Sequence, residues 1–451
     1  MLFILKQIIR FGLTEKPMKR LVSVDTGRGF AIFIMVLVHV FTHQIGKGDS
    51  ELFVPLVSSM HPILLGSLIP LVILGTWGSV FTFLSCIAAS VNIFQTDPKD
   101  NRTFAKIVLS RIIGGFFLIL LYRILRFLTK FPDENFILKP IGPFNFNFAC
   151  DTLDSIVIVG VIVPIILIML HKTKISGNIR IISAILVSIS VISLSLSEFI
   201  IPLGRSAGDF FNLKGYWLLE FILSKFFWGR FKITHTFSFG LMGALLGYFI
   251  IMEVSKKKFI WFCMIFFLSC LILLGIAILI DWTFLLKFAN NDVPVYVQFF
   301  NLGGQVALFS LFMKFLEFGT PKHRAKAAKR TIWLRRFGIV SLTIYTLGRF
   351  PADGVFWILE KIMGDAVDYV NLVLVWNMVQ IYFFMGIVIA FWFLILYIWE
   401  KLRFILSMEW ILGTIAWILR LKKNTSLYVS ERLYIPTDQE NDGIETRSIL
   451  S

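Results

Sequence analysis

Runs of about 20 consecutive apolar residues recur along almost the whole chain, and each is long enough to cross the hydrocarbon of a bilayer as a helix. The 451 residues are 57% hydrophobic and 16% charged, with a mean hydropathy of +0.81. That leaves too little polar surface to clothe a water-soluble domain of this length. The sequence therefore predicts an all-α polytopic integral membrane protein with about ten transmembrane helices. They fall near 28–46, 69–94, 104–128, 152–171, 179–202, 234–252, 259–280, 297–317, 335–358 and 372–399.

The basic residues give a direction to these spans. Lys and Arg cluster in segments 1–27, 95–106, 172–180, 253–258, 318–336 and 400–451, including Lys256, Lys257 and Lys258. These are alternate connections, so the positive-inside rule puts both termini in the cytoplasm; the cell membrane is the expected location. The same placement accounts for the net charge of +16 without nucleic acid as a partner. Cys86, Cys150, Cys263 and Cys270 lie in or beside apolar runs without metal-ligand spacing, and read as small buried hydrophobes. No small-residue cleavage site follows the first run, so it is expected to be retained rather than removed as a signal peptide.

Three organisational units follow: a basic N-terminal segment (1–27), the membrane domain (28–399), and an amphipathic segment with a polar tail (400–451). Residues 52–68, broken by Pro55 and Pro62, read as a re-entrant or interfacial segment. The outer connection 203–233 is rich in aromatic residues and carries Arg205, Lys214, Lys225, Arg230 and Lys232. It reads as an interfacial amphipathic helix whose cations snorkel, or as a cover over an acceptor site. Residues 401–421, with Glu409, read as surface-lying.

The chemistry-bearing residues concentrate on the first span. Arg28 and His39 are eleven positions apart, which returns a helix to the same face about 16 Å further along its axis. A guanidinium at the membrane edge suits phosphate, and an imidazole in an apolar layer can take a proton from a hydroxyl or amine at neutral pH. Asp25 precedes Arg28 by one turn, and His43 follows His39 by one turn. His39 and His43 lack an accompanying acid or thiol ligand, so no metal site is expected. His235, at the outer start of the sixth span, is an acceptor-side candidate. Gly240, Gly243 and Gly247 suit close helix packing. Tyr345 and Gln305 are interior polar residues, and Asp151 and Asp154 complement a helix dipole.

The run RLVSVDTGRGFAIFIMVLVH from Arg20 to His39, with its S-x-D-x-x-R-G start, resembles the first helix of the transmembrane acyltransferase superfamily. That superfamily includes the acyltransferase-3 enzymes and the heparan-α-glucosaminide N-acetyltransferase type. Arg28 followed by His39 is similar to the acyltransferase-3 signature. GSVFTFLSC (Gly78 to Cys86), HTFSFGLMGALLG (His235 to Gly247), FGIVSLTIY (Phe337 to Tyr345) and SMEW (Ser407 to Trp410) resemble motifs of the heparan-acetyltransferase type. In that branch the catalytic histidine lies in the outer loop after the first helix, where this chain has His61.

The resemblance implies an acyltransferase that uses acyl-CoA, acetyl-CoA above all, as co-substrate. Its phosphates would be held by Arg28 with help from Arg111 and Arg336. His39, or else His61, would be the general base, with Asp25 in the same constellation and His43 and His235 on the acceptor side. The acceptor implied is a hydroxyl or amine of a carbohydrate or glycoconjugate, and a homodimer is the assembly considered. A solute transporter or flippase, or an inactive member of the same fold, are the alternatives.

Overall fold

The computed structural model describes residues 21–46, 56, 59–75, 77–129, 150–280, 293–419, 427, 429, 433 and 434, the side chains of 72 and 126–129 excepted. The N-terminal basic segment to residue 20, residues 52–55 and the polar tail beyond 434 lie outside the described residues. The rest is an all-α bundle. Its helices are α1 (Val22–Gln44), α2 (Pro62–Gly75), α3 (Val80–Gln95), α4 (Asn101–Thr129), α5 (Thr152–His171), α6 (Ile179–Leu213), α7 (Trp217–Phe227) and α8 (Ile233–Ile251). They continue as α9 (Lys256–Ile280), α10 (Val295–Leu316), α11 (Pro321–Arg330), α12 (Ile332–Ile339), α13 (Ser341–Leu347), α14 (Arg349–Met363), α15 (Met378–Lys401) and α16 (Met408–Ile418). Two short strands, Val367–Asp368 and Val373–Leu374, pair antiparallel between α14 and α15.

Eight of these helices are long and apolar enough to cross a membrane, and α2 with α3, bent by 42°, would make a ninth. The predicted span at 69–94 is thus two helices joined at Trp77 to Ser79, and α2 takes in the second half of the segment read as re-entrant. The predicted span at 335–358 is also not one helix, because the chain breaks at Val340 and Gly348. At the first break the Glu409 carboxylate accepts the backbone N–H of Leu342 at 2.5 Å and the Thr343 hydroxyl at 2.7 Å. A buried acid there satisfies amides that a continuous helix would have bonded internally. At the second break Pro351 has no N–H to offer Leu347, and it is tolerated because it falls in the first turn of α14. The Glu409 carboxylate thus points into the bundle, and its helix α16 packs against α4 and α13.

The outer connection 203–233 differs too. Residues 203–213 continue α6 through Pro202, and only α7 is a separate short helix. Trp217, Leu218 and Ile222 of α7 are exposed, whereas Lys225 is buried against Asp154. Its ammonium thus turns inward instead of snorkelling to water.

Burial separates two interiors. One is built mainly from α3, α5, α8, α9 and α10; the other from α1, α2 and α12 to α15. In the first, a Cβ on Gly243 would stand 2.2 Å from the Phe83 carbonyl oxygen, and one on Gly247 2.5 Å from that of Ile87. Glycine at these positions lets α8 lie directly on the α3 backbone. Helix α1 belongs to both interiors, with Leu21 and Val24 in one and Ile32 to Ile45 in the other. Its close contact with α12 needs Gly29, where a Cβ would collide with the Leu334 carbonyl oxygen, and Gly338, which faces the Asp25 carbonyl.

Candidate functional site

Along α1 the residues Gly27, Phe30, Ala31, Ile34, Met35 and His39 recur at helical spacing, and together they line one wall of a cavity of about 70 Å³. Between Gly27 and His39 that wall rises about 18 Å. Phe81 and Leu84 of α3, Phe309 and Phe312 of α10 and Phe231 close the opposite side. The cavity is thus a narrow apolar slot, with polar groups only at one end. These are His39, Thr152, Gln305 and Tyr345.

At the polar end a hydrogen-bonded group centres on Asp151 and Asp154. Asp151, the N-cap of α5, accepts hydrogen bonds from the Tyr122 hydroxyl at 2.5 Å, the Tyr345 hydroxyl at 3.0 Å and the backbone N–H of Thr152 at 2.7 Å. Asp154 completes a capping box and pairs with Lys225 at 2.7 Å and Arg123 at 3.3 Å. The His39 and His43 rings meet edge to face at 4.8 Å, and Asp151 and Arg230 lie within electrostatic range of His39. Gln305, buried, donates its Nε2 to Ser79 at 2.9 Å, while its Oε1 has no partner among the described residues.

A second, smaller pocket of about 10 Å³ adjoins this end. Ser79, Arg230, Phe231, His235, Thr236, Gln298 and Asn301 line it, and Phe231 lines both spaces. His235 therefore stands beside Arg230 rather than in the main cavity. Burial pulls the Arg230 guanidinium below its ordinary value.

Other residues singled out by the sequence are distributed differently. Arg28, half-buried, follows the cavity-lining Gly27 at the far end of the slot. Arg111 donates to the Gly160 carbonyl at 3.0 Å and lies within electrostatic range of Arg28, so two guanidiniums converge near that end. Arg336 is instead committed to Glu400 at 2.5 Å. Asp25 is half-buried with its backbone against Gly338, and it does not line the cavity. His61 is exposed at the start of α2, where its Nδ1 accepts the Ile63 N–H at 3.3 Å, and it does not line the cavity either.

Sequence reasoning gave Asp151 and Asp154 only a helix-dipole role and placed Lys225 at an interface. The signal that could have joined them is the cost of two carboxylates bordering an apolar run, which calls for partners such as Tyr345, Tyr122 and Lys225. No protein-family model, curated protein or solved structure matches the chain.

Proposed function

We propose that this chain is a membrane-embedded acyltransferase, moving an acyl group, acetyl in the simplest case, from acyl-CoA to a hydroxyl or amine of a carbohydrate-type acceptor. The observation that carries the reading is His39 at the polar end of an apolar slot whose other end adjoins Arg28. A slot of this shape suits an extended thioester arm, with its phosphates at Arg28 and Arg111 and its carbonyl near His39. In this reading both termini and the Arg28 end face the cytoplasm, the source of acyl-CoA, as the distribution of basic residues suggests.

In the step itself, His39 takes the proton from the acceptor O–H or N–H as that atom attacks the thioester carbonyl carbon. The tetrahedral intermediate collapses with rupture of the C–S bond, and the protonated His39 returns the proton to the departing thiolate. Tyr345, held by Asp151, and Thr152 border the acceptor.

The test is transfer and binding of labelled acetyl-CoA by the purified protein. His39→Ala is expected to lower transfer by about 10²–10⁴ with donor binding retained. Arg28→Ala is expected to weaken donor binding more than Arg28→Lys, which keeps a point charge. Transfer that survives His39→Ala and disappears in His61→Ala would move the base to the start of α2. Absence of acetyl-CoA binding in the unaltered protein would end the acyltransferase reading in favour of a transporter.

A further inference from the structure

Arg230 sits in the connection between α7 and α8, in a pocket with no carboxylate in its lining. Among the described residues it forms no hydrogen bond and no ion pair, in contrast to Lys225, Arg123 and Arg336, each of which reaches an acid. A guanidinium withdrawn from water without an anion is costly, and an oxyanion from outside the chain is what would repay that cost. The remaining lining fits such a ligand: Ser79, Gln298 and Asn301 carry neutral groups able to donate, and the volume, about that of one water, admits the oxygen tip of an oxyanion whose remainder lies outside the pocket.

The pocket is not isolated. Phe231 borders both it and the main cavity, and the Ser79 to Gln305 hydrogen bond crosses between them. Gln305 is 1% exposed, lines the main cavity and has its Oε1 without a partner among the described residues, so an acceptor O–H or N–H can be bound there. Arg230 also lies within electrostatic range of His39.

We propose that the Arg230 pocket is the anion subsite of the acceptor, taking a carboxylate or phosphate carried on a sugar whose hydroxyl or amine is presented to Gln305 and His39. This rests on the acyltransferase reading only for what happens after binding. A planar guanidinium grips either oxyanion through two parallel hydrogen bonds, so the two sources share one chemistry at this site.

The experiment measures binding of glucuronate, glucose 6-phosphate, glucose, acetate and inorganic phosphate to the full chain in nanodiscs, without acyl-CoA. At least one of the two anionic sugars is expected to bind about tenfold or more tighter than glucose, and which one does so identifies the oxyanion. Arg230→Gln is expected to remove that advantage, and Arg230→Lys to reduce it several-fold through loss of the two-pronged grip. If Arg230→Gln does not yield folded protein, the lysine variant decides alone. Equal binding of glucose and the anionic sugars, acetate or phosphate binding as tightly as the sugars, or an advantage unchanged in the substituted protein would each overturn the proposal. Anionic-sugar binding in a protein that neither binds acetyl-CoA nor transfers acetyl would sustain the subsite while removing the acyltransferase reading.

Discussion

The Tyr345 hydroxyl donates to Asp151 at 3.0 Å, joining α13 to the N-cap of α5 across 194 positions of sequence. Tyr345 lines the same cavity as His39, and its ring is fixed by the carboxylate it bonds. Tyr345→Phe removes one hydrogen bond to a charged acceptor, leaving Asp151 with Tyr122 and the Thr152 amide. If the bond aligns the acceptor end of the site, acetyl transfer should fall by roughly tenfold to a hundredfold while acetyl-CoA affinity stays constant. Steady-state kinetics with a donor titration separates the two. An equal loss of donor affinity would count against an acceptor-side role.

The buried pair of Asp154 and Lys225 should behave as a unit. Their side chains are 5% and 7% exposed, so Lys225→Ala strands a carboxylate that has, among the described residues, only Arg123 and the Asp151 amide to serve it. A loss of about 3 kcal/mol is expected, with Asp154→Asn and Lys225→Met combined costing less than the two singles added. Denaturation of all three variants in one detergent gives the coupling directly. Strict additivity would show that the pair does not act as one.

Gly29 and Gly338 carry the contact of α1 with α12. Gly29→Ala puts a Cβ against backbone, not against a movable side chain, and is expected to destabilise by about 1–3 kcal/mol or to prevent folding. Gly386→Ala in α15, where a Cβ meets nothing within 4 Å, is the matched control and should be neutral or slightly stabilising. Size-exclusion profiles and thermal midpoints compare them. A tolerated Gly29→Ala would mean that α1 and α12 can separate at little cost.

Glu409 supplies a pH dependence. Burial raises its carboxyl above the usual range, against the opposing hydrogen bonds from Thr343 and the Leu342 amide. A folded-state value above the unfolded one means that the folded protein binds the extra proton between the two values. Stability from this group should therefore be greatest below the ordinary carboxylate value of about 4.3 and should fall as pH rises through the raised one. Glu409→Gln, which keeps an acceptor without the titration, should flatten that decline in a series of thermal midpoints against pH. An unchanged slope would assign the dependence to other groups.

How legible all this is in the sequence depends on the distance over which each feature is decided. The helical membrane class is written in local composition, and the α1 stripe from Gly27 to His39 follows from helical spacing alone. The break at Val340 is not local, since it is stabilised by Glu409, which lies 66 positions beyond the Thr343 amide it accepts. The inward turn of Lys225 depends on Asp154, 71 positions earlier. Arg111 and Arg336 are equally basic on paper. What separates them is that Glu400 lies beside one and a carbonyl and Arg28 lie near the other.

The sharing of α1 between two interiors bears on how anything enters the slot. Each interior keeps its own packed side chains, and the cavity runs along the seam where they meet, walled by aromatic rings from α3 and α10 on one side and by α1 on the other. The two interiors share α1 and are tied a second time by the Tyr345 to Asp151 hydrogen bond, so a slide of one against the other by even a fraction of a side chain works against that bond. On the acyltransferase reading proposed above, passage of a long flexible arm would be governed by the stiffness of that seam, and substitutions far from His39 that bind the halves together would slow entry and release while leaving the proposed proton transfer untouched.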